Sequence, residues 1–300
     1  MNIVVIGQGA IGLLWYHHLA KMPALSVSLS ASTSAQQIPR HYSFTHLNNQ
    51  TTQQTLTIAD DKAFADAQCL LFCVKSYQVQ AALAALKHKI APETVLIFCH
   101  NGMGALDDIT SLSQPVLTLL TTHACKILNP FHAQHTGLGH HHLGLLHGAL
   151  STKKNQQITA ALAQALPTLS FNHDIVAKQW LKLAINCVIN PITALENINN
   201  GQLLVGSYND TISKLIAEIV KVAAAEDIVF DFKQLQASIQ TVAKNTADNC
   251  SSMRADILNQ RKTEIDFING YIMKVAHKHR LSVPENQQLY QKIKALEAKR

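Results

Sequence analysis

A glycine-rich loop directly after the first predicted strand constrains the fold more than any other feature of the sequence. The β-branched run at residues 2–6 predicts a buried strand, and residues 10–21 predict a helix. The segment between them has G-x-G-x-x-G spacing, which permits a tight turn, close approach of a pyrophosphate and close helix–strand packing. This context favours a dinucleotide site over glycines that merely turn the chain. The predicted cofactor-binding residues of this loop are Gly7, Gln8, Gly9, Ala10, Ile11 and Gly12.

The rest of the first half alternates strand-like and helix-like segments. Apolar runs at 25–29, 69–74, 94–99 and 116–120 predict strands, and residues 77–87 predict a helix. Residues 30–54 are rich in Ser, Thr, Gln and Asn, and we interpret them as loop and edge-strand material. Alternation of this kind predicts βαβ units and a parallel sheet, as in a Rossmann-type α/β domain.

The pattern of apolar residues changes after about residue 170. Helical periodicity runs through residues 175–196, 210–225, 232–244, 262–279 and 284–299, and long β-branched runs are absent from the sequence there. We therefore predict an α/β dinucleotide-binding domain over residues 1–167, followed by an all-α domain over residues 168–300. The dipeptide Leu166-Pro167 is the predicted junction.

The segment after the second strand bears on the choice of dinucleotide. An acidic residue there binds the ribose 2′-hydroxyl of NAD, whereas its absence favours the 2′-phosphate of NADP. The segment reads Ser30-Ala31-Ser32-Thr33-Ser34, with no acid, and the first basic residue after it is Arg40. We expect NADPH/NADP+ as the cofactor, with the hydroxyl-rich loop either cradling the phosphate or serving only as a loop.

Composition limits the classes of partner. Lys and Arg number 25 and Asp and Glu 19, so the net charge of +6 is mild and lacks the basic stripe of a nucleic-acid binder. No apolar run approaches the roughly 20 residues of a membrane span. None of the six cysteines forms a CxxC pair, which predicts free thiols. Because the chain passes from Met1 directly into a strand, we expect a cytoplasmic protein with neither nucleic-acid nor membrane partners.

A histidine-rich patch invites a metal interpretation. His140, His141, His142 and His147 lie in a glycine-containing segment, but a zinc site needs three or four ligands that converge from defined elements. An exposed hairpin is the alternative, and we expect no metal site here.

A polar stripe runs along the predicted helix at 175–196. Lys182, Asn186 and Asn190 stand four residues apart, so a helix places them on one face among apolar neighbours. Such a stripe is either a solvent-exposed helix face or a surface for a ligand rich in oxygens. Pro191 follows it and should kink or end the helix.

Further stretches of the sequence are distinctive in their order and spacing. They are Val74-Lys75-Ser76-Tyr77-Gln78, His100-Asn101-Gly102-Met103-Gly104, residues 180–191, Ser251-Ser252-Met253 and residues 263–270. Together with the glycine loop, they make the chain resemble the ketopantoate reductase (2-dehydropantoate 2-reductase) family from residue 1 to about residue 287. The most specific are the Lys-x-x-x-Asn-x-x-x-Asn stripe and the Ser-Ser-Met to Glu-Ile-Asp region.

The resemblance implies a role for each matching residue. It makes Lys182 the general acid and Glu264 a catalytic residue that binds the substrate oxygen. It makes the second domain substrate-binding and catalytic, and puts Lys75 and Asn101 beside the nicotinamide ribose. Ala31 departs from the family, which commonly has an Arg there to contact the 2′-phosphate. The implied substrate-binding residues are Asn186, Asn190 and Ser252, with Asn249 as a further candidate.

The activity that the resemblance implies is NADPH-dependent reduction of 2-dehydropantoate to (R)-pantoate, on the route to pantothenate and coenzyme A. The substrate is then a small 2-oxo acid, and the protein a monomer or homodimer. Two alternatives stay open. One is reduction of another branched 2-oxo acid on the same scaffold. The other is a non-catalytic NADP(H)-binding sensor, which would not need Lys182 or Glu264.

Overall fold

The chain folds as two compact units, each with its own hydrophobic core. The computed structural model describes residues 1–32, 38–107 and 109–299. Unit 1 comprises Met1–His100 and Leu106–Ile175, and unit 2 comprises Asn101–Ala105 and Val176–Arg300. Residues 101–105 thus belong to unit 2, although the chain on either side of them belongs to unit 1. The functional division at residues 167 and 168 stays a prediction.

Unit 1 is an α/β structure that contains the strands and helices predicted around the glycine loop. Short 3-10 turns at Ser76–Gln78 and Ile109–Ser111 supplement its regular elements. Those elements are β1 (Asn2–Ile6), α1 (Ala10–Ala20), β2 (Ser26–Ser30), β3 (His41–Thr45), β4 (Thr51–Thr55), α2 (Asp61–Ala65), β5 (Cys69–Phe72), α3 (Val79–Leu86), β6 (Val95–Phe98), β7 (Val116–Thr121), β8 (Ala124–Asn129), β9 (His132–Gly137), β10 (His141–His147), α4 (Thr152–Ala165) and β11 (Leu169–Phe171).

The main sheet has seven strands in the order β11-β10-β7-β6-β5-β1-β2. Strands β2, β1, β5, β6 and β7 are parallel, β10 runs antiparallel to β7, and β11 is parallel to β10. β5 and β6 are buried at every position, as expected for continuous apolar runs with both faces covered. The chain goes from β1 to β2 on one side and later returns to β5 on the other. The carboxyl end of β1 is therefore a topological switch point, where open α/β sheets bind ligands.

A second sheet of four strands, in the order β4-β3-β9-β8, was not foreseen as such. Residues 30–54 contribute β3 and β4, which pair antiparallel, so the prediction of loop and edge strand was right only for part of that segment. Helix α1 contacts β1 and β2 of the main sheet and β8 and β9 of the second. Trp15 and Tyr16 of α1 are consequently buried almost completely, although the helix carries polar residues.

The interpretation of the histidine-rich patch as an exposed hairpin was wrong. β9 belongs to the four-stranded sheet and β10 to the seven-stranded sheet, so residues 138–140 connect two sheets. His141 is fully buried; its ring stacks on that of His123 at 4.4 Å and lies tilted against that of Trp15 at 4.7 Å. Among the residues that the structure describes, no group of three or more His, Cys, Asp or Glu side chains could hold a metal ion.

Unit 2 is helical, as predicted. Its short 3-10 turns lie at Asn200–Leu204, Gly206–Tyr208 and Ile265–Phe267. The largest difference from the predicted boundaries is at residues 262–279, where the structure has a turn and then a helix that begins only at Asn269. The helices are α5 (Ile175–Glu196, whose first residue belongs to unit 1), α6 (Asn209–Ala224), α7 (Phe232–Asn245), α8 (Ser252–Leu258), α9 (Asn269–Lys278) and α10 (Pro284–Ala298).

The core of unit 2 is built on the apolar faces of α5, α6 and α9. Leu183 and Val188 of α5, Leu215 and Ile216 of α6, and Ile272 of α9 are each at most 1% exposed. Spacings of three, four and seven residues on these helices bring such side chains to one stripe, which explains why α6 contacts α7, α9 and α10. No helix in the described part of the chain is long and apolar enough to cross a membrane.

Candidate active site

Two of the loop glycines occupy positions that exclude any side chain. Gly7 has a φ of +108°, and a Cβ on it would lie 2.6 Å from the carbonyl oxygen of Cys73. A Cβ on Gly12 would lie 1.8 Å from the carbonyl oxygen of Gly7, within the loop itself. Such distances are far below van der Waals contact, so both glycines are required for the turn and for the packing of α1 against the end of β1.

Gly9 differs because the space beside it is open. No described atom lies within 4 Å of a Cβ built on Gly9. Gly9 is also the N-cap residue of α1, and as a glycine it has no side chain to accept a hydrogen bond from the first turn of the helix. The N-terminal N–H groups of α1 therefore lack a side-chain cap and can bind an anion. The loop therefore has two glycines that no larger residue can replace, Gly7 and Gly12, and open space beside Gly9. This is the geometry of a binding loop for a dinucleotide pyrophosphate.

The loop after β2 is fastened to the glycine loop. Gly7 donates its N–H to the carbonyl of Ser30 at 2.9 Å. The Gln8 side chain accepts from the Ser32 backbone N–H at 2.9 Å and donates through Nε2 to Ser32 Oγ at 2.8 Å. These bonds fix the positions of Ser30 and Ser32 in the hydroxyl-rich segment that is predicted to contact the ribose phosphate, and Ala31 lies between them. Thr33 and Ser34 lie outside the described residues.

Lys75 follows β5, two strands from β2 across the sheet. It is half-buried and stands just before the 3-10 turn Ser76–Gln78. Its backbone N–H donates to the Gln78 side-chain oxygen at 3.0 Å, which fixes the backbone from which the lysine projects. Lys75 and the glycine loop both lie at carboxyl ends of adjacent parallel strands, the edge at which such sheets bind ligands.

Within unit 2, the segment after β6 brings two predicted site residues together. Asn101 donates through Nδ2 to the Glu264 carboxylate at 3.2 Å. The Met103 N–H donates to the carbonyl of Phe267 at 2.8 Å. Gly102 has a φ of +77°, and a Cβ there would lie 2.2 Å from that same carbonyl oxygen. Only glycine allows this close approach, a steric requirement at Gly102 that the sequence alone did not reveal.

Glu264 is a buried carboxylate, with 4% of its surface exposed. Its sequence neighbours Arg261, Lys262 and Asp266 are charged, a pattern more typical of an acid on the surface. The residues around it are held by hydrogen bonds: Thr263 donates its N–H to Glu297 Oε1 at 2.7 Å, and Ile265 donates to Thr263 Oγ1 at 3.2 Å. A buried carboxylate needs donors to offset its lost hydration, and the Asn101 amide supplies one of them.

The polar stripe on α5 is not a solvent-exposed helix face. Lys182 and Asn186 are half-buried, and Asn190 is buried. Trp180, Leu183 and Cys187 of the same helix lie in the apolar core. The alternative of a solvent-exposed face therefore does not hold, and the role of the stripe in ligand binding stays a prediction.

Pro191 does not end α5, which continues to Glu196. A proline at this position removes the hydrogen bond that the carbonyl of Cys187 would accept, four residues earlier. The fully buried Asn269 side chain replaces it, donating through Nδ2 to the Cys187 oxygen at 3.0 Å. The same amide nitrogen donates to Asn286 Oδ1 at 2.9 Å. Asn269 thus supports the helix that carries the polar stripe, and sequence reasoning missed this role.

The remaining predicted substrate residues lie on and before α8. Ser251 caps this helix by accepting from the Arg254 N–H at 3.2 Å, and its hydroxyl lies 2.7 Å from Thr193 Oγ1 of α5. This pair ties α8 to α5. Ser252, the first residue of α8, is exposed, and so is Asn249. Their predicted roles in substrate binding stay predictions, as do those of the other site residues.

Comparison with known proteins gives a consistent result over the whole chain. The ketopantoate reductase PanE/ApbA family model matches residues 3–148, and the model of its C-terminal domain matches residues 174–297. A 2-dehydropantoate 2-reductase from Vibrio cholerae is 37% identical, with 99% of this chain and 98% of that protein covered. One from Yersinia pestis is 34% identical, with 99% and 96% covered.

Solved structures share the fold across the full length. A PanE/ApbA family ketopantoate reductase from Ralstonia eutropha JMP134 superposes with a TM-score of 0.87 at 24% identity, covering 100% of this chain and 99% of that one. D-mandelate dehydrogenase with NADH and anilino(oxo)acetate gives 0.91 at 22%, with the same coverage. A dimeric ketopantoate reductase from Staphylococcus aureus gives 0.82 at 20%, again with that coverage. On its matching family models and relatives, this chain belongs to the ketopantoate reductase family.

Proposed function

We propose that the protein reduces 2-dehydropantoate to (R)-pantoate with NADPH, a step toward pantothenate and coenzyme A. The observation that carries this proposal is the pairing of Asn101 with the buried Glu264, in the unit that also holds the Lys182 stripe. A buried carboxylate, a lysine and a row of amides are the groups needed to bind a hydroxylated 2-oxo acid and to protonate its ketone oxygen. Family membership supplies the substrate.

Residues of unit 1 account for the cofactor. The open space at Gly9 and the uncapped N-terminus of α1 would hold the pyrophosphate, and Ser32 would contact the ribose phosphate. The family resemblance gives Lys75, and also Asn101, the role of contacting the nicotinamide ribose when the cofactor is bound. When bound, NADPH supplies the hydride that reduces the ketone carbon. The absence of an acid in residues 30–40 supports NADPH over NADH, because a carboxylate there would repel the 2′-phosphate.

Lys182 is the general acid. Reduction of a ketone leaves negative charge on its oxygen, and an ammonium group both stabilises that charge and has a proton to give. Lysine side chains are protonated at neutral pH. Lys182 is half-buried on a helix whose apolar face is anchored in the core, so its backbone position is fixed. Water then restores the proton that Lys182 gives up.

Glu264 and the amides hold the substrate. The carboxylate of Glu264 accepts a hydrogen bond from a substrate hydroxyl while Asn101 keeps it oriented. Asn186 and Asn190, one and two helical turns beyond Lys182, donate to substrate oxygens, and Ser252 and Asn249 contribute further polar contacts. Several neutral donors suit a substrate with one carboxylate, one ketone and one hydroxyl.

A panel of 2-oxo acids tests the proposal. Purified protein with NADPH is followed at 340 nm with 2-dehydropantoate, 2-oxoisovalerate and phenylglyoxylate, and the chirality of the product is determined. We expect the highest kcat/KM with 2-dehydropantoate and an (R)-pantoate product. A higher kcat/KM with phenylglyoxylate would favour the alternative, a reductase of another 2-oxo acid, for which the D-mandelate dehydrogenase fold provides a precedent. Tight NADPH binding without turnover of any substrate would indicate a sensor.

The proposal extends to location and assembly. A biosynthetic reductase that uses NADPH and carries free thiols fits the cytoplasm, with a small 2-oxo acid as its partner. It acts as a monomer or homodimer, and light scattering coupled to size-exclusion chromatography separates these two states.

A further inference from the structure

The hydrogen-bonded pair of Gln8 and Ser32 joins the two loops that a dinucleotide contacts. Gln8 stands between the two first glycines of the phosphate loop, and Ser32 stands two residues beyond β2. In Rossmann-type units the end of the second strand lies at the 2′ position of the adenosine ribose. The bond from the Gly7 N–H to Ser30 runs alongside the pair. Three hydrogen bonds therefore fix residues 30–32 on the glycine loop.

The donor and the acceptor in each of the two hydrogen bonds between Gln8 and Ser32 follow from the atom types. The Ser32 backbone N–H can only donate, so the atom it meets at 2.9 Å must be the Gln8 oxygen. The Gln8 amide nitrogen, in turn, can only donate, so the Ser32 hydroxyl oxygen accepts from it at 2.8 Å. The single proton of that hydroxyl is then free to point away from Gln8. Ser32 is exposed, so its hydroxyl is accessible to a ligand as a hydrogen-bond donor.

We propose that Gln8 is a specificity-determining positioning residue for NADPH, which orients the Ser32 hydroxyl as a hydrogen-bond donor to the 2′-phosphate. The pair makes recognition of the phosphate independent of a cationic side chain at residues 30–32, where the sequence has none. Gln8 itself acts through Ser32, because both polar atoms of its amide are engaged with that residue. This inference rests on the proposed use of NADPH and adds to it how this chain recognises the 2′-phosphate.

Binding of two nucleotides that differ only in the 2′-phosphate tests the proposal without catalysis. Dissociation constants of 2′,5′-ADP and 5′-AMP are measured by calorimetry for the parent protein, Gln8→Met, Ser32→Ala and the double variant. Methionine keeps the length of the side chain and removes both hydrogen bonds. Gln53→Met, at an exposed position on β4, is the matched control.

The parent should bind 2′,5′-ADP more tightly than 5′-AMP. Gln8→Met should weaken 2′,5′-ADP binding about tenfold, at the lower end of what a hydrogen bond to a charged group contributes, and leave 5′-AMP within about twofold. Ser32→Ala should lose a similar factor. Adding Gln8→Met to Ser32→Ala should cost little more, because Gln8 acts through the hydroxyl that is already gone. Gln53→Met should change neither constant.

Four results would overturn the inference. Gln8→Met could weaken the binding of both nucleotides equally, or weaken the binding of neither. The losses of 2′,5′-ADP affinity could be additive in the double variant, or the parent protein could bind 2′,5′-ADP and 5′-AMP with equal affinity. Failure of the proposed function gives a different result. In that case the nucleotide constants follow the pattern expected above, but NADPH is not oxidised when 2-dehydropantoate is added.

Discussion

The side-chain amide of Asn101 donates a 3.2 Å hydrogen bond to the carboxylate of Glu264, a residue 163 positions further along the chain. Residues 101–105 follow a strand of unit 1 but pack within unit 2, where the carbonyl of Phe267 accepts from Met103 and closely approaches Gly102. The orientation of a buried carboxylate thus depends on a short segment at the end of β6. A residue predicted to line the cofactor side and one predicted to act on substrate are directly linked.

Replacing Asn101 should therefore affect turnover. Asn101→Ala removes the amide that orients Glu264, and we expect kcat to fall about tenfold or more, since losing a partner of a buried charged group costs about 1.5–3 kcal/mol. The KM for the 2-oxo acid should rise as well. Steady-state kinetics at 340 nm measure both constants. Asn48→Ala, in the exposed turn between β3 and β4, is the control and should leave them unchanged.

Two loop glycines should respond differently to the same substitution. Gly9→Ala introduces a methyl group into space that is open in the protein, so the melting temperature should stay within about 2 °C of the parent. NADPH affinity should drop about tenfold or more, because the methyl group occupies the space predicted for the pyrophosphate. Gly12→Ala forces a methyl group against the Gly7 oxygen and should lower the melting temperature by several degrees. Equal losses of stability in both variants would contradict this assignment.

Pro191 and Asn269 should be energetically coupled. Asn269→Ala leaves the buried Cys187 carbonyl without the donor that replaces the missing backbone N–H, and it also removes the bond to Asn286. We expect a loss of about 2–3 kcal/mol in the free energy of unfolding, measured by urea denaturation. In a Pro191→Ala background the backbone N–H at 191 can serve that carbonyl, so the same change should cost about 1 kcal/mol less. An unchanged cost would show that the two residues act independently.

The buried histidines of unit 1 should make the protein sensitive to acid. His17 is fully buried, stacked 3.8 Å from Phe44 with Nδ1 3.0 Å from the Tyr42 hydroxyl. Burial, with a contribution from the positive charge of Lys21, lowers the pKa of His17 to about 2. Burial likewise lowers the pKa values of His18 and His123 to about 4, with the charge of His135 adding to both shifts.

These shifts set the sign and the pH range of the effect. An unfolded histidine takes up a proton near pH 6.5, whereas these folded ones do not until about pH 4 or below, so the unfolded state binds more protons in between. The free energy of unfolding should therefore fall as the pH drops below about 6.5, by about 1.4 kcal/mol per pH unit for each such histidine. Urea denaturation at pH 7.5, 6.0 and 5.0 measures this slope. His17→Phe should make it shallower, and His88→Phe, at an exposed position, should leave it unchanged.

Much of the fold follows from local sequence patterns. β1 and α5 have the predicted limits, because a β-branched run beside a glycine loop and a 22-residue helical periodicity are both strong signals. The four-stranded sheet was harder to predict. Strand β4 consists only of Thr and Gln, and β9 contains two His and a Gln, so neither shows clear apolar alternation. β9 packs on α1, a long-range contact that periodicity does not encode, and β4 alternates between exposed and half-buried positions.

The candidate site was predictable to a similar degree. The stripe of Lys182, Asn186 and Asn190 was visible because its spacing matches a helix. The hydrogen bonds Gln8–Ser32, Asn269–Cys187 and Asn101–Glu264 join residues 24, 82 and 163 positions apart, so a local sequence pattern does not predict them. Gly102 offered a signal, a glycine next to Asn101 after a strand, but its positive φ became evident only in the structure.

The role of Lys182 is the centre of this account, and one variant tests it. Lys182→Met keeps an aliphatic side chain on α5 and removes the transferable proton and the charge. NADPH oxidation with 2-dehydropantoate at 340 nm gives kcat, and fluorescence titration gives the dissociation constant of NADPH. We expect kcat to fall about 10²–10⁴-fold, as for loss of a positioned general acid, with NADPH affinity within about twofold of the parent. A kcat within about threefold of the parent would contradict the account, because the proton would then come from water or another group.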